Sequence, residues 1–281
     1  MQKQKKRKKE TKKRDKQMKF LFDDPKAKKT FFFLRQWKVL FKVILVDVFY
    51  ILTLFCLATF FDIIFVNYES VLVGSIYGYV LFLAYFAVVV FSYSFFKYCF
   101  FDLFEEFQGK KQNIDFTSLP AFYGQNFVFL FAVFILFLIL YFFFSIALVD
   151  VLKKGAVLLL FTLFGIGGYL LLQATHVVFS KKKKFAVLET LKEAKTLLSF
   201  SVVGKWFFWN IIFAVCGFVV YLILFYFIAK TGQTAAADAA AMMLFTVLNV
   251  VLFILFILFS YFLILWNRLY LFLVFGDYNK I

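Results

Sequence analysis

Histidine, cysteine and proline are scarce in this chain, and each shortage excludes a kind of protein. Among 281 residues there are one His, three Cys and two Pro. A single His cannot form the two-histidine zinc motif H-E-x-x-H. Cys56, Cys99 and Cys216 form no C-x-x-C pair, so they indicate neither a disulfide framework nor a zinc site. Because no Pro lies within a long apolar segment, the sequence gives little support to the broken helices of transporters.

Motifs for catalysis and nucleotide binding are also missing. The chain has no G-x-S-x-G elbow, no G-x-x-x-x-G-K loop and no dinucleotide-binding fingerprint. Asp47 and Asp62 lie about 22 Å apart along one helix at 1.5 Å per residue, too far for a paired-aspartate centre in the membrane. No polar stretch beyond the N-terminal tail is long enough for a separate catalytic domain. We therefore expect no enzymatic activity, no metal site and no cofactor.

Apolar residues, in contrast, are in large excess. Hydrophobic residues make up 64% of the chain, whereas a soluble globular chain has roughly 45–50%, so the surplus needs lipid as its solvent. Six continuous apolar segments can each cross a bilayer core of about 30 Å, which takes about 20 helical residues. Since backbone in lipid must satisfy its own hydrogen bonds, we predict an all-α, polytopic transmembrane helix bundle with interfacial amphipathic helices. The predicted spans are 43–66, 71–96, 126–149, 156–179, 206–229 and 241–265.

Positive charge is concentrated at the N-terminus. Residues 1–42 hold 17 Lys and Arg against four Asp and Glu, in a chain whose net charge is +16. We predict a disordered polybasic cytoplasmic tail over residues 1–30, followed by a six-helix transmembrane domain over residues 31–281. Anionic lipid headgroups are the favoured partner of the tail. Nucleic acid, the ribosome or an acidic protein is the alternative, although the tail has no aromatic residue before Phe20 to stack on bases.

Loop charges predict the orientation in the membrane. The side that carries the tail also carries Lys110, Lys111, the run Lys181, Lys182, Lys183 and Lys184, and Arg268. The opposite side carries only Lys153, Lys154 and Lys230. By the positive-inside rule, we expect a multi-pass protein of the cell membrane with both termini in the cytoplasm. The four consecutive lysines are assigned to lipid headgroups and to topology.

One cytoplasmic connection predicts a helix that lies in the membrane surface. Its apolar face would consist of Val187, Leu188, Leu191, Ala194, Leu198 and Val202. The opposite face would carry Glu189, Lys192, Glu193 and Thr196. Such a division into two faces is typical of an interfacial amphipathic helix.

Ionisable residues inside a span are functional candidates, because inserting one costs roughly 2.5–3.5 kcal/mol. Asp47 lies about one turn inside the first span, and Lys97 lies at a similar depth in the second. We predict an ion pair between them. The alternatives are placement of both at the interface and a role in transport or proton carriage. The uncharged Gln173, Asn210 and Asn249 are expected to form hydrogen bonds between helices.

His176 completes the candidate set of Asp47, Lys97, Asn249, Gln173 and His176. It lies about 7 Å from Lys181 at 1.5 Å per residue, and no Cys lies within four residues of it. We therefore interpret His176 as marking the boundary where the fourth span leaves the membrane, and not as a metal ligand. A pH-sensitive role at the interface is the alternative.

Glycines predict two places of close helix packing. Gly74 and Gly78 form a G-x-x-x-G motif in the predicted second span, and Gly165 and Gly168 lie in the fourth. Small residues allow two helix backbones to approach each other. The second group could instead loosen a helix at a gate.

The segment VLETLKEAKTLLSFSVVGKWFFWNIIFAV, residues 187–215, resembles a pattern in six-helix prokaryotic membrane proteins. These proteins are similar to the membrane domain fused to some glycerophosphodiester phosphodiesterases, in which an amphipathic helix leads through Trp into a span. The resemblance implies no catalytic residue. We expect a membrane scaffold or accessory subunit that acts through helix packing, its basic tail and a membrane-protein partner. The alternative is a small-solute or lipid transporter with a path past Asp47, Asn249, Gln173 and His176.

Overall fold

The computed structural model describes residues 24–107, 116–147, 150–235 and 239–276. These ranges contain eight α-helices, one 3₁₀ turn at Phe116–Ser118 and no strand, which confirms the all-α prediction. The helices are α1 Pro25–Leu34, α2 Trp37–Leu72, α3 Ile76–Phe107, α4 Leu119–Ala147, α5 Asp150–Lys182, α6 Val187–Leu197, α7 Phe200–Ala235 and α8 Ala239–Gly276.

Six of these helices contain a segment long and apolar enough to cross a membrane. Within the most apolar stretch of each segment, at most 17% of the residues are buried by the rest of the chain. So large an apolar surface is stable only when lipid covers it. The protein is therefore a multi-pass integral membrane protein. Its spans are Trp37–Glu69, Ile76–Glu105, Phe116–Phe143, Gly155–Lys182, Phe200–Lys230 and Met242–Gly276.

The described residues form two compact units, where the sequence predicted one six-helix domain over residues 31–281. One unit contains residues 24–30 together with residues 197–276, and the other contains residues 31–196. In the first unit α7 packs directly on α8, since an added Cβ on Gly217 would lie 2.5 Å from the Phe259 ring. The rings of Phe213 and Trp266 extend the same contact, with centroids 4.9 Å apart.

Helix α1 begins inside the predicted disordered tail, which corrects the boundary at residue 30. Asp24 caps the helix, because its Oδ1 accepts a hydrogen bond of 2.9 Å from the Lys26 backbone N–H. Pro25 occupies the first helical position, where no N–H is needed. The other oxygen of Asp24 accepts 2.6 Å from the Tyr270 hydroxyl, so this contact fixes the start of α1 against the end of α8. Residues 1–23 of the predicted tail lie outside the described residues.

A tight turn joins α2 to α3, and Gly74 lies in it with φ of +71°, a conformation that favours glycine. Ser75 caps α3 by accepting 3.2 Å from the Gly78 backbone N–H. Gly74 therefore serves the turn, and the prediction that it lies within the second span is wrong. An added Cβ on Gly165 or Gly168 meets no described heavy atom within 4 Å. The structure thus brings no helix onto these two glycines.

Helix α6 ends at Leu197, short of the predicted residue 202. Its buried face carries Thr190, Ala194 and Leu197, which follow one another at helical spacing. Leu188, predicted to lie on the apolar face together with Ala194, is 85% exposed. The predicted apolar face is therefore divided, since Ala194 packs on the protein and Leu188 points away from it. Contact of this helix with the membrane surface stays a prediction.

Candidate functional site

The candidate site is a set of buried polar side chains in the unit of residues 31–196. Two of them lie one turn apart on α3, two are adjacent on α4 and two lie one turn apart on α5. Residues three apart on a helix share a face, so α3 and α5 each present a pair of polar groups toward the interior. We call this set the polar cluster: Ser94, Lys97, Gln125, Asn126, Gln173 and His176, all buried.

Lys97 forms the first link of the polar cluster. Its Nζ donates a hydrogen bond of 2.8 Å to Oε1 of Gln173, which joins α3 to α5. The same ammonium lies 5.3 Å from the ring centroids of Phe100 and Phe101, at cation–π distance. A buried charge without partners costs several kcal/mol, so these contacts explain how an ammonium group is accommodated at this depth.

Asn126 forms the second link, because its amide bonds in two directions. Nδ2 donates 2.9 Å to Oγ of Ser94 on α3, and Oδ1 lies 2.8 Å from Nε2 of His176 on α5. The hydroxyl of Ser94 in turn donates 2.7 Å to the Val90 carbonyl. Since an amide oxygen only accepts, the hydrogen-bond network assigns the proton to Nε2 of His176 and leaves Nδ1 unprotonated. Asn126 thereby connects three helices.

The ring of His176 is fully enclosed by protein, with 0% of the residue exposed. The Phe122 ring lies 5.1 Å away and the Tyr93 ring 5.8 Å away, centroid to centroid. The burial of the ring shows the direction of the side chain and not its depth, so the interpretation of His176 as a membrane boundary stays a prediction. The sequence indicated its depth near the end of α5, but not that its side chain points into the unit.

Two polar atoms of the cluster have no hydrogen-bond partner among the described residues. They are Nδ1 of His176, an acceptor, and Nε2 of Gln125, a donor. The other end of the Gln125 amide, Oε1, accepts from the Thr190 hydroxyl at 3.5 Å, the limit of a hydrogen bond. This contact brings α6 against α4.

Asp47 is buried on α2 in the same unit as Lys97. The structure thus places both members of the predicted ion pair in the interior, and their pairing stays a prediction. Lys97 also has Gln173 as a neutral partner, which the sequence did not indicate.

Asn210 bonds between helices as predicted. Its amide and that of Asn267 exchange two hydrogen bonds of 2.9 Å between α7 and α8. The sequence did not predict a role for Asn267, because this residue lies beyond the predicted end of the sixth span at residue 265. In the structure, α8 continues to Gly276. Asn249 is exposed and donates 2.8 Å to the Phe245 carbonyl of its own helix, so the structure does not join it to the other candidates.

The run of four lysines contains a contact within the protein. Nζ of Lys182 lies 2.6 Å from Oε1 of Glu189 and 2.5 Å from Oε1 of Glu193, which joins the end of α5 to α6. The hydrogen bond and then the charge of Lys182 lower the pKa of the Glu189 carboxyl. Lys183 has a positive φ of 52° and ends α5. Lys182 therefore anchors α6, while the assignment of the four lysines to lipid headgroups and topology stays a prediction.

Two open grooves among the described residues lie away from the polar cluster. One of about 470 Å³ is lined mainly by aromatic side chains of α3, including Phe91, Phe95 and Phe96. The other, of about 260 Å³, lies between α7 and α8 and is lined by apolar residues such as Leu224 and Phe256. Neither has a wall formed by a residue of the polar cluster.

Within the described ranges, no group of three or more His, Cys, Asp or Glu side chains is placed to hold a metal ion. The chain was also compared with known proteins. No protein-family model, no curated protein and no solved structure matches it.

Proposed function

We propose that this integral membrane protein is a membrane scaffold or accessory subunit without a catalytic centre. The observation that carries the proposal is the way its buried polar groups are used. Lys97, Asn126 and His176 bond to side chains of neighbouring helices, as expected of groups that fix the packing of a bundle. A solute path would instead need polar side chains that water can reach.

The second part of the proposal concerns the basic tail and the orientation. The tail would lie in the cytoplasm, bind anionic headgroups of the cell membrane and position a membrane-protein partner. Polybasic segments next to a span gain about 1 kcal/mol per Lys or Arg from an anionic surface. The Asp24–Tyr270 hydrogen bond supports this arrangement, because it holds the start of α1, and so the exit of the tail, next to a span.

A small-solute or lipid transporter is the second candidate, and one observation favours it. The acceptor Nδ1 of His176 and the donor Nε2 of Gln125 are buried without a partner among the described residues. Buried polar groups are nearly always satisfied, so a polar solute or water could serve them. In that function the polar cluster would be reached from solvent during transport.

Cysteine accessibility separates the two functions. Gln173→Cys is introduced into the full chain after Cys56, Cys99 and Cys216 are changed to Ser, and sealed membranes are treated with a charged thiol reagent. The membranes are prepared as inside-out vesicles, so that the predicted cytoplasmic face meets the reagent. A scaffold is expected to leave position 173 unmodified, while Lys184→Cys, exposed beyond the span, is modified as a positive control. Rapid modification at 173 would overturn the scaffold proposal in favour of transport.

Purification of the protein from native membranes tests whether it binds a membrane-protein partner. The full chain and a variant lacking residues 1–20 are each purified after chemical crosslinking. The proposal expects a membrane protein on the full chain and less of it on the truncated variant. Recovery of RNA or ribosomes with the tail would support the nucleic-acid alternative, and recovery of no partner by either chain would contradict the scaffold function.

A further inference from the structure

The outward face of α6 is basic and partly apolar. Thr190, Ala194 and Leu197 face the protein, and a helix turns by 100° per residue, so Leu188, Lys192 and Lys195 lie on the opposite side. All three are exposed, and Leu188 is 85% exposed. The apolar side chain of Leu188 thus lies beside the ammonium groups of Lys192 and Lys195, on a surface that the rest of the unit does not cover.

The acidic residues of α6 do not neutralise this face. Glu189 and Glu193 are the only acids in the helix, and both bind Lys182 at the end of α5. Lys182 therefore holds both carboxylates on one flank of α6 and offsets one of their two negative charges. This arrangement leaves Lys192 and Lys195 as outward positive charges, with the exposed Lys184 shortly before the helix.

The chain keeps α6 close to the bilayer surface. The fourth span ends at Lys182 and α6 begins at Val187, so four residues connect them and reach at most about 14 Å. The headgroup layer on each side of a bilayer is about 5–8 Å thick. The start of the helix is also held near the third span, because the Phe185 ring lies 3.2 Å from where a Cβ on Gly124 would be. Helix α6 is therefore within reach of lipid phosphates.

We propose that Leu188, Lys192 and Lys195 form a binding site for anionic phospholipids of the surrounding bilayer. The two ammonium groups pair with headgroup phosphates, and Leu188 reaches the boundary of the acyl chains, as apolar residues of interfacial helices do. This inference deepens the proposed lipid contact of the protein. It assigns that contact to a folded helix, in addition to the tail.

Lipid selectivity of the full chain tests the site. The protein is reconstituted in phosphatidylcholine bilayers that contain spin-labelled phosphatidylglycerol or spin-labelled phosphatidylcholine, and electron paramagnetic resonance gives the association constant of each lipid. Lys192→Gln with Lys195→Gln is expected to lower the preference for phosphatidylglycerol by about fivefold per lysine. Lys230→Gln, an exposed lysine at the far end of α7, is the control for a single interfacial lysine and is expected to lower the preference less than the double variant does.

Deleting residues 1–20 separates this inference from the proposed function. If the deletion lowers the preference but the α6 double variant does not, the α6 site is overturned and the lipid-binding tail stands. If the α6 variant lowers it in both the full and the truncated chain, the site is supported independently of the tail. If neither change has an effect, both are overturned. An unchanged melting temperature shows that the variants are folded.

Discussion

Asn126 is the residue on which the polar cluster depends most, because its amide reaches Ser94 and His176 at the same time. Hydrogen bonds between membrane helices contribute only about 0.6 kcal/mol on average. A buried donor that loses its acceptor costs more, about 1–3 kcal/mol. Asn126 therefore stabilises the bundle mainly because its Oδ1 accepts the hydrogen bond of His176 Nε2–H. Without Asn126, that buried donor would have no acceptor.

We expect Asn126→Ala to lower the free energy of unfolding by about 1–3 kcal/mol, because Nε2–H of His176 is left buried without an acceptor. Unfolding of the detergent-solubilised protein by sodium dodecyl sulfate measures the change. Asn249→Ala is the matched control. It removes an exposed amide that bonds only within its own helix, and its effect is expected to stay within about 0.5 kcal/mol. Equal losses from the two substitutions would show that the cluster does not stabilise the bundle.

At the scale of a helix, the end of α5 combines two opposing features. Lys182 joins α5 to α6 through two carboxylates, which stabilises the corner between the helices. Lys183, the next residue, has a left-handed backbone with φ of 52°, a conformation that costs an L-residue with a side chain roughly 1–2 kcal/mol. Helices commonly place glycine at such a position. Lys183 therefore occupies a position whose left-handed backbone glycine would adopt at a lower cost.

Lys183→Gly is expected to raise the free energy of unfolding by up to about 1 kcal/mol, since relief of the left-handed strain exceeds the extra freedom that glycine gives the unfolded chain. The same substitution at the neighbouring Lys184, which has no positive φ, provides the control. It removes the same charge and should leave stability equal or lower. Thermal unfolding in detergent measures both variants, and a gain of similar size from both would assign the effect to charge.

For the whole molecule, the sequence predicted the six spanning helices, because a long apolar segment in lipid must satisfy its own backbone hydrogen bonds and so forms a helix. It predicted helix ends less well. An α-helix continues past the membrane core, so α2 begins at Trp37 and α8 reaches Gly276, beyond the predicted apolar limits. These extensions contain Asn267, which explains why the partner of Asn210 was missed.

The candidate site was predicted only in part for a related reason. Spacing from a charged loop indicates how deep a residue lies, and it placed Lys97 and His176 near one end of their spans. Rotation about the helix axis is harder to predict, since a span in lipid is apolar on the faces toward lipid and toward protein alike. The links from Lys97 to Gln173 and from Asn126 to His176 depend on that rotation and could not be predicted.

Two separate arguments support the predicted orientation in the membrane. The contact between Asp24, before the first span, and Tyr270, at the end of the sixth, requires both to lie on one side, in agreement with an even number of spans. From the charge of the loops we predict that this side is the cytoplasm. In a bacterial host, we expect green fluorescent protein fused after Ile281 to fluoresce, and alkaline phosphatase inserted at residues 236–238 to be active. The reverse pattern would overturn the charge argument and leave the same-side argument intact. Reporters are also fused ahead of residue 1 and after Ile281. If these two reporters lie on opposite sides of the membrane, both arguments are contradicted.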